Sequence, residues 1–302
     1  MARDAAEAPA GRRVGCELRY AADGPATFLF AVQPARGGSG ARQRVASERL
    51  AVTAAGGAVE PESWDAAPGG TRWLRLAAAV PGEVVLSYEA EVAPDPLLHD
   101  PAGVSEIPVR DLPREALPYL LPSRYCESDR LEGFARAQFG HLALGHARVA
   151  AVCSWVHDRT LYQRGASDAR TTALDTLTDA RGVCRDFAHL GVALTRALGV
   201  PARFLAAYAP HLVPADFHAA FEALLLGPDG PRWYAFDATR QTALDGLVRI
   251  AVGADASTTA FASLWGAARP LEGPEAMRVR CDPPPGGDDA ERTVAAVSVS
   301  DA

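Results

Sequence analysis

Between residues 14 and about 93 the apolar positions fall in short, partly alternating runs: Val14 to Tyr20, Ala26 to Val32, Gln43 to Thr53, Arg72 to Val80 and Glu83 to Val92. A period of two marks a half-buried strand. Turn formers such as Ala22-Asp23-Gly24-Pro25 and Val80-Pro81-Gly82 separate the runs. The stretch 13–94 therefore reads as a small β-sandwich, with Phe28, Phe30, Trp73, Leu74 and Leu76 as its expected core. Ahead of it, residues 1–12 are polar and charged and read as a disordered leader.

Proline dominates 95–130, from Pro94-Asp95-Pro96 to Leu120-Leu121-Pro122. So much proline opposes regular helix and predicts a linker draped over a neighbouring surface. The period then changes to that of helices. Leu131 to Gln138 is short. Leu144 to Leu161 repeats Val149, Val152, Trp155 and Val156 along one face. Thr172 to Asp179 is a third helix. Cys184 to Leu198 is the strongest, with an inner stripe of Phe187, Leu190, Leu194, Ala197 and Leu198 and a stop at Gly199-Val200-Pro201. Beyond it the alternation returns at Ala202 to Tyr208, Phe217 to Leu226, Arg232 to Asp237 and Val248 to Val252. Gly227-Pro228-Asp229-Gly230-Pro231 turns the second of these into the third. Residues 131–280 thus form an α+β segment, and 281–302 read as a flexible tail.

Composition narrows the function. The 30 basic and 37 acidic side chains leave a net charge of −7, and no arginine-dense patch stands out, so a nucleic-acid partner is not expected. All the basic residues are arginine. Without lysine the chain has neither a Schiff-base amine nor a P-loop lysine, and it offers no lysine for crosslinking to itself. The five cysteines, Cys16, Cys126, Cys153, Cys184 and Cys281, are odd in number and include no C-x-x-C pair. That suits reduced thiols in a cytoplasmic protein better than a disulfide framework or a zinc knuckle. No apolar run approaches the length of a membrane span, so no membrane partner is expected.

The densest chemistry lies at Gly182-Val183-Cys184-Arg185-Asp186-Phe187. A glycine turn runs straight into a helix and places one thiol at its mouth, where unpaired N–H groups and the macrodipole favour an anion. The thiolate is the form that attacks carbonyl carbon, and the Cys184 N–H is placed to donate to the oxyanion that results. A base must come from elsewhere. His189 lies about 140° around the helix from Cys184, which leaves it packing or a structural hydrogen bond. His218 sits on the strand beyond. Asp237 sits on the hairpin partner of that strand, at a position close to opposite, where its carboxylate could take the Nδ1 proton of His218 and fix the ring. Asp186, in the first helical turn, is explained by the dipole. Glu222 could orient a loop, bind substrate or simply be a solvated charge. Cys153, inside an apolar helix face, is a buried small hydrophobe.

At these residues the chain resembles the transglutaminase-like superfamily, and in particular bacterial members with an N-terminal β domain. The matching stretches are Arg181-Gly-Val-Cys184-Arg-Asp-Phe-Ala-His-Leu190, Arg196-Ala-Leu-Gly-Val-Pro-Ala-Arg203, Asp216-Phe-His218-Ala-Ala-Phe-Glu222 and Trp233-Tyr-Ala-Phe-Asp237-Ala-Thr239, with Leu120-Leu-Pro-Ser-Arg-Tyr-Cys126 upstream. The resemblance implies a papain-like core, a helix bundle packed on an antiparallel sheet. It also implies a triad of Cys184, His218 and Asp237 with no metal or cofactor. Two positions depart from the pattern. Ala220 stands where many relatives have tryptophan, and Gly253-Ala254-Asp255 lacks the arginine of a frequent Gly-Arg-Asp. A second oxyanion donor is open among Tyr162, Trp155 and Gln163.

The expected reaction is attack on a carboxamide, loss of amine and capture of the thioester. Acidic loops suited to calcium are not evident, which favours hydrolysis of a peptide, protein or small amide. Transamidation of a glutamine-type donor shares every step up to the thioester. An inactive protein-binding scaffold is the reading from outside enzymology.

Overall fold

The computed structural model describes residues 11–38, 40–67, 69–282 and 295–301. Almost all of the expected leader, and the Pro/Gly-rich part of the expected tail, lie outside them. The β region runs β1 (Arg12–Gln33), β2 (Gln43–Ala54), β3 (Gly57–Ala58), β4 (Glu62–Ala66), β5 (Thr71–Ala78), β6 (Gly82–Pro94) and β7 (Leu97–His99). The two strands expected on either side of Asp23-Gly24-Pro25 are one. β1 continues through that turn former with only a register shift between Ala22 and Ala26. Phe28, Phe30, Leu74 and Leu76 are buried as expected. Trp73 is only half-buried, because strand alternation turns it away from Leu74 and Leu76 and towards Trp64 on β4.

The linker makes three 3₁₀ turns, Pro101–Gly103, Val109–Asp111 and Arg114–Leu120, and is pinned to the next layer by paired Ser105 and Leu226 backbones. Then come α1 (Ser128–Phe139), α2 (His146–Arg159), β8 (Leu161–Tyr162), α3 (Ala173–Asp179), β9 (Arg181–Gly182) and α4 (Cys184–Ala197). Next are β10 (Ala202–Tyr208), β11 (Phe217–Gly227), β12 (Gly230–Phe236) and β13 (Val248–Gly253), which form an antiparallel sheet in the order β12-β11-β10-β13. α4 lies between this sheet and the other helices, so it is buried from Asp186 to Ala197, well beyond the stripe its periodicity announces. Phe187, Leu190 and Leu194 each contribute about 1.5–3 kcal/mol of transfer free energy there. Gly191 permits the close approach: a Cβ would meet the Phe221 ring at 2.5 Å.

The last strands are β14 (Ala262–Pro270), β15 (Met277–Cys281) and β16 (Ala296–Ser298). The sequence reading grouped 262–280 with the catalytic segment, yet β14 and β15 pair antiparallel with β1 and complete an eight-stranded sheet. Within the expected tail, β16 pairs with β7, and Ala296, Val297 and Ser298 are fully buried. The two sheets share one core: Tyr208, Val248 and Ile250 pack among the residues of β1, β5 and β6. Tyr208 donates to the Val32 carbonyl at 2.8 Å, and the Gln43 amide bridges the Ala35 and Arg249 carbonyls. No helix among the described residues is long and apolar enough to cross a membrane.

Candidate active site

Cys184 is the first residue of α4, and its position is set by the turn before it. A Cβ on Gly182 would lie 2.6 Å from that of Asp186, so only glycine fits. The Asp186 carboxylate is fully buried. It accepts the Val183 N–H at 2.8 Å and receives the Arg185 guanidinium at 3.1 Å. Arg185 also donates to the Asp168 carbonyl at 2.6 Å, which ties the helix start to the loop beyond β8. Asp186 therefore caps and locks the turn, a larger role than complementing the dipole. Cys184 is half-buried, whereas Cys16, Cys126 and Cys153 are buried. Burial pushes the Cys16 and Cys126 thiols up to about 12 and raises Cys153 as well.

His218 is near the start of β11 and Asp237 follows the end of β12, so the hairpin brings them together beside the mouth of α4. Extending the register one step beyond Phe221 and Phe236 sets Asp237 across from Ala220, two residues from His218. His218 Nε2 is 3.0 Å from Asp237 Oδ2, and the thiol of Cys184 hydrogen-bonds the same ring. The sequence reading gave Nδ1 to Asp237. The ring is turned the other way, with Nε2 facing the carboxylate. Strand alternation specifies which residues meet, while the ring's rotation is set by packing around it.

Both partners are almost wholly buried. Burial opposes charge on the ring, but the Asp237 charge and hydrogen bond outweigh it, and the Cys184 contact adds to them. Together they raise His218 to about 10. Asp237 is held below the ordinary carboxylate value. Burial again opposes, while the His218 charge, its hydrogen bond and two donors from Thr239 prevail. The Thr239 N–H and hydroxyl reach Asp237 Oδ1 at 2.8 and 2.7 Å, which leaves Oδ2 for the ring. The contact thus favours the charged form of each partner.

The remaining expectations separate cleanly. His189 is fully buried, stacked on Tyr125 with centroids 5.0 Å apart, and its Nε2 accepts the Ala256 N–H at 3.2 Å. It has the structural role expected of it. Glu222 is not a solvated charge. It is fully buried, 2.6 Å from Arg203 Nε, and that guanidinium stacks over Trp233 at 4.0 Å. Of the donor candidates, Trp155 packs edge-on against Phe134 and Phe139, inside the helical layer. Tyr162 and Gln163 line a cleft of about 590 Å³ that His218 also lines. The Tyr162 hydroxyl lies against Cys184 and bonds its backbone N–H. Burial first, then the neighbouring Cys184, push the phenol up to about 12. Ala220 shares a buried cluster with Val297 and Val299, so its small side chain leaves room for the C-terminal segment. Asp255, in the variant Gly253-Ala254-Asp255, accepts the Tyr125 N–H at 2.9 Å and the Ser257 N–H at 2.9 Å.

Sequence reasoning missed Arg196. This buried guanidinium on α4 donates to the carbonyls of Leu121, Ala202 and Ala254, clasping the linker to the sheet. A lone arginine on an apolar helix face was the available signal.

Comparison with known proteins gives three results. The family model of the transglutaminase-like superfamily matches residues 134–238. An uncharacterized protein of Mycobacterium leprae (strain TN) is 28% identical over 116 residues, which is 35% of this chain and 40% of that protein. The chain therefore spans well under half the length of this relative. A crystal structure from Cytophaga hutchinsonii, provisionally described as a cysteine protease, superposes with a TM-score of 0.86 at 35% identity, covering 97% of this chain and 98% of that one.

Proposed function

Because the chain belongs to the transglutaminase-like superfamily, we propose that it is a cysteine-dependent amidase or peptidase whose catalytic residues are Cys184, His218 and Asp237. The observation that carries this reading is the convergence of the thiol, a buried imidazole and a buried carboxylate at the mouth of α4, with His218 and Asp237 3.0 Å apart.

The sulfur of Cys184 attacks the carboxamide carbon, and its proton passes to His218. The Cys184 N–H at the helix start, released from the Tyr162 hydroxyl, would donate to the oxyanion, and Gln163 or Tyr162 would supply the second donor. As the tetrahedral intermediate collapses, the C–N bond breaks, His218 gives its proton to the departing amine, and a thioester remains. Water then adds to the thioester, losing its proton to His218. The C–S bond breaks, the acid leaves, and the thiolate–imidazolium pair is restored. Asp237 keeps the ring oriented and stabilises its charge throughout. The substrate class is a peptide-like amide. The likeness to the Cytophaga protein points towards peptides, and the cleft has the volume of an ordinary ligand site.

The test is product analysis. Glutamine-containing peptides are incubated with the protein, with and without a primary amine, and followed by intact mass and ammonia release. Hydrolysis that outruns amine incorporation is the expected result. The reverse would assign the site to transamidation. No turnover, together with iodoacetamide labelling of Cys184 no faster than that of a peptide thiol, would leave a scaffold.

A further inference from the structure

One residue of the cleft lining rests on the β domain. It is Phe217, the residue before His218. Its ring does not enter the helical core. It packs instead with the β-domain cluster, 5.4 Å from Tyr208 and stacked on Phe261 at 4.8 Å and 21°. Phe261 stands just before β14, and its carbonyl accepts the Ala31 N–H of β1, so the N-terminal sheet fixes its place. It remains 37% exposed, and Trp265, further along β14, is 54% exposed. Across the cleft runs the loop His211 to Pro214, where Val213 is 95% exposed. Of these apolar groups Phe217 stands nearest in the chain to His218, and Phe261 extends its face.

We propose that Phe217 and Phe261 form an apolar subsite that receives an aromatic or large aliphatic side chain from the residue flanking the attacked amide. The proposal rests on the reading of Cys184 and His218 as the acylating pair. It deepens that reading by assigning part of substrate selection to the β domain. Stacked rings with an exposed edge offer apolar area that a flanking side chain covers, while the polar groups Arg164 and Asp216 elsewhere in the cleft remain with solvent or the peptide backbone. Phe261 is a specificity-determining residue in this scheme and touches no reacting atom.

The experiment has two arms. In the first, kcat/KM is measured for amide substrates that differ only in a phenylalanine or a glycine at the flanking position. In the second, Cys184 is alkylated by N-benzyl iodoacetamide and by iodoacetamide, each rate being normalised to N-acetylcysteine. The wild type is expected to favour the aromatic member by about tenfold in both arms. Phe261→Ala should bring both ratios close to one, and Phe261→Leu should keep most of the preference. Thermal melts of both variants establish that they are folded. The labelling arm needs only a reactive sulfur. If no amide turns over, but the labelling preference exists and disappears in Phe261→Ala, the subsite stands and the amidase reading fails. If amides turn over with a preference that Phe261→Ala does not alter, or with none, the subsite is overturned and the amidase reading stands. Absence of turnover and of labelling preference overturns both.

Discussion

Two buried imidazoles a short distance apart in sequence behave in opposite ways. His189, on α4, and His218, on β11, are both shielded from solvent. His189 meets rings on both sides and one backbone N–H, and its Nδ1 has no hydrogen-bond partner. Burial therefore dominates and lowers it to about 3, with Asp255 opposing and Arg185 and Arg196 assisting. His218 pays the same desolvation but faces a carboxylate at contact distance, and it rises to about 10. Depth in the fold therefore says nothing about whether a histidine is charged. The neighbour at the ring nitrogen decides it. The same contrast separates a histidine whose neighbour favours its charged form from one whose surroundings favour the neutral form.

The sharpest way to break the comparison is to remove the groups that make His218 special. Cys184→Ala should cut kcat by about 10⁶-fold, since triad members act as a unit. Asp237→Asn should cost about 10⁴-fold by removing the charge that holds the ring, with KM little altered. Both are read from steady-state kinetics on a hydrolysed peptide.

Next in size are opposite pH dependences of stability. The folded pKa of His218 lies above its unfolded value of 6.5, so its contribution is fully present below about pH 6.5 and disappears as pH rises through about 10. The folded pKa of His189 lies below 6.5. Its neutral state stabilises the fold above that value, and the contribution is lost as pH falls towards about 3, because the unfolded chain takes up the proton first. Urea unfolding across pH should show the alkaline loss vanish in His218→Gln and the acid loss shrink in His189→Gln. Equal slopes in wild type and variants would refute the contrast.

The smallest effect concerns His189 alone. His189→Leu leaves the Ala256 N–H without its acceptor and should cost about 1–3 kcal/mol of stability. Turnover should stay within a few-fold of wild type, which separates a structural histidine from a working one.

How much of this was legible follows the same division between local and distant causes. The Gly182 turn, α4, the β11–β12 hairpin and the set Cys184, His218 and Asp237 are encoded by short-range signals: a glycine, a period, a five-residue turn. The rotation of the His218 ring was not legible, because it depends on Thr239 claiming one oxygen of Asp237 and on the Cys184 thiol that bonds the same ring. The pairing of β14 and β15 with β1 was also hidden. β14 alternates weakly, with Gly266 at its middle and a single arginine, Arg269, near its end, so nothing local declares its partner. Glu222 looked ambiguous because its pairing with Arg203 spans two strands whose register no single strand reveals.

The route of β1 has a temporal meaning. Val14 pairs with Cys281, and Leu97 with Ser298, so strands made first wait for partners made last. At synthesis rates of about 5–20 residues per second, roughly ten to fifty seconds separate the making of Val14 from that of Cys281. Phe261 takes its place when β14 closes against β1. The stacking of Phe261 on Phe217 therefore forms only after every strand from β1 to β13 has been made.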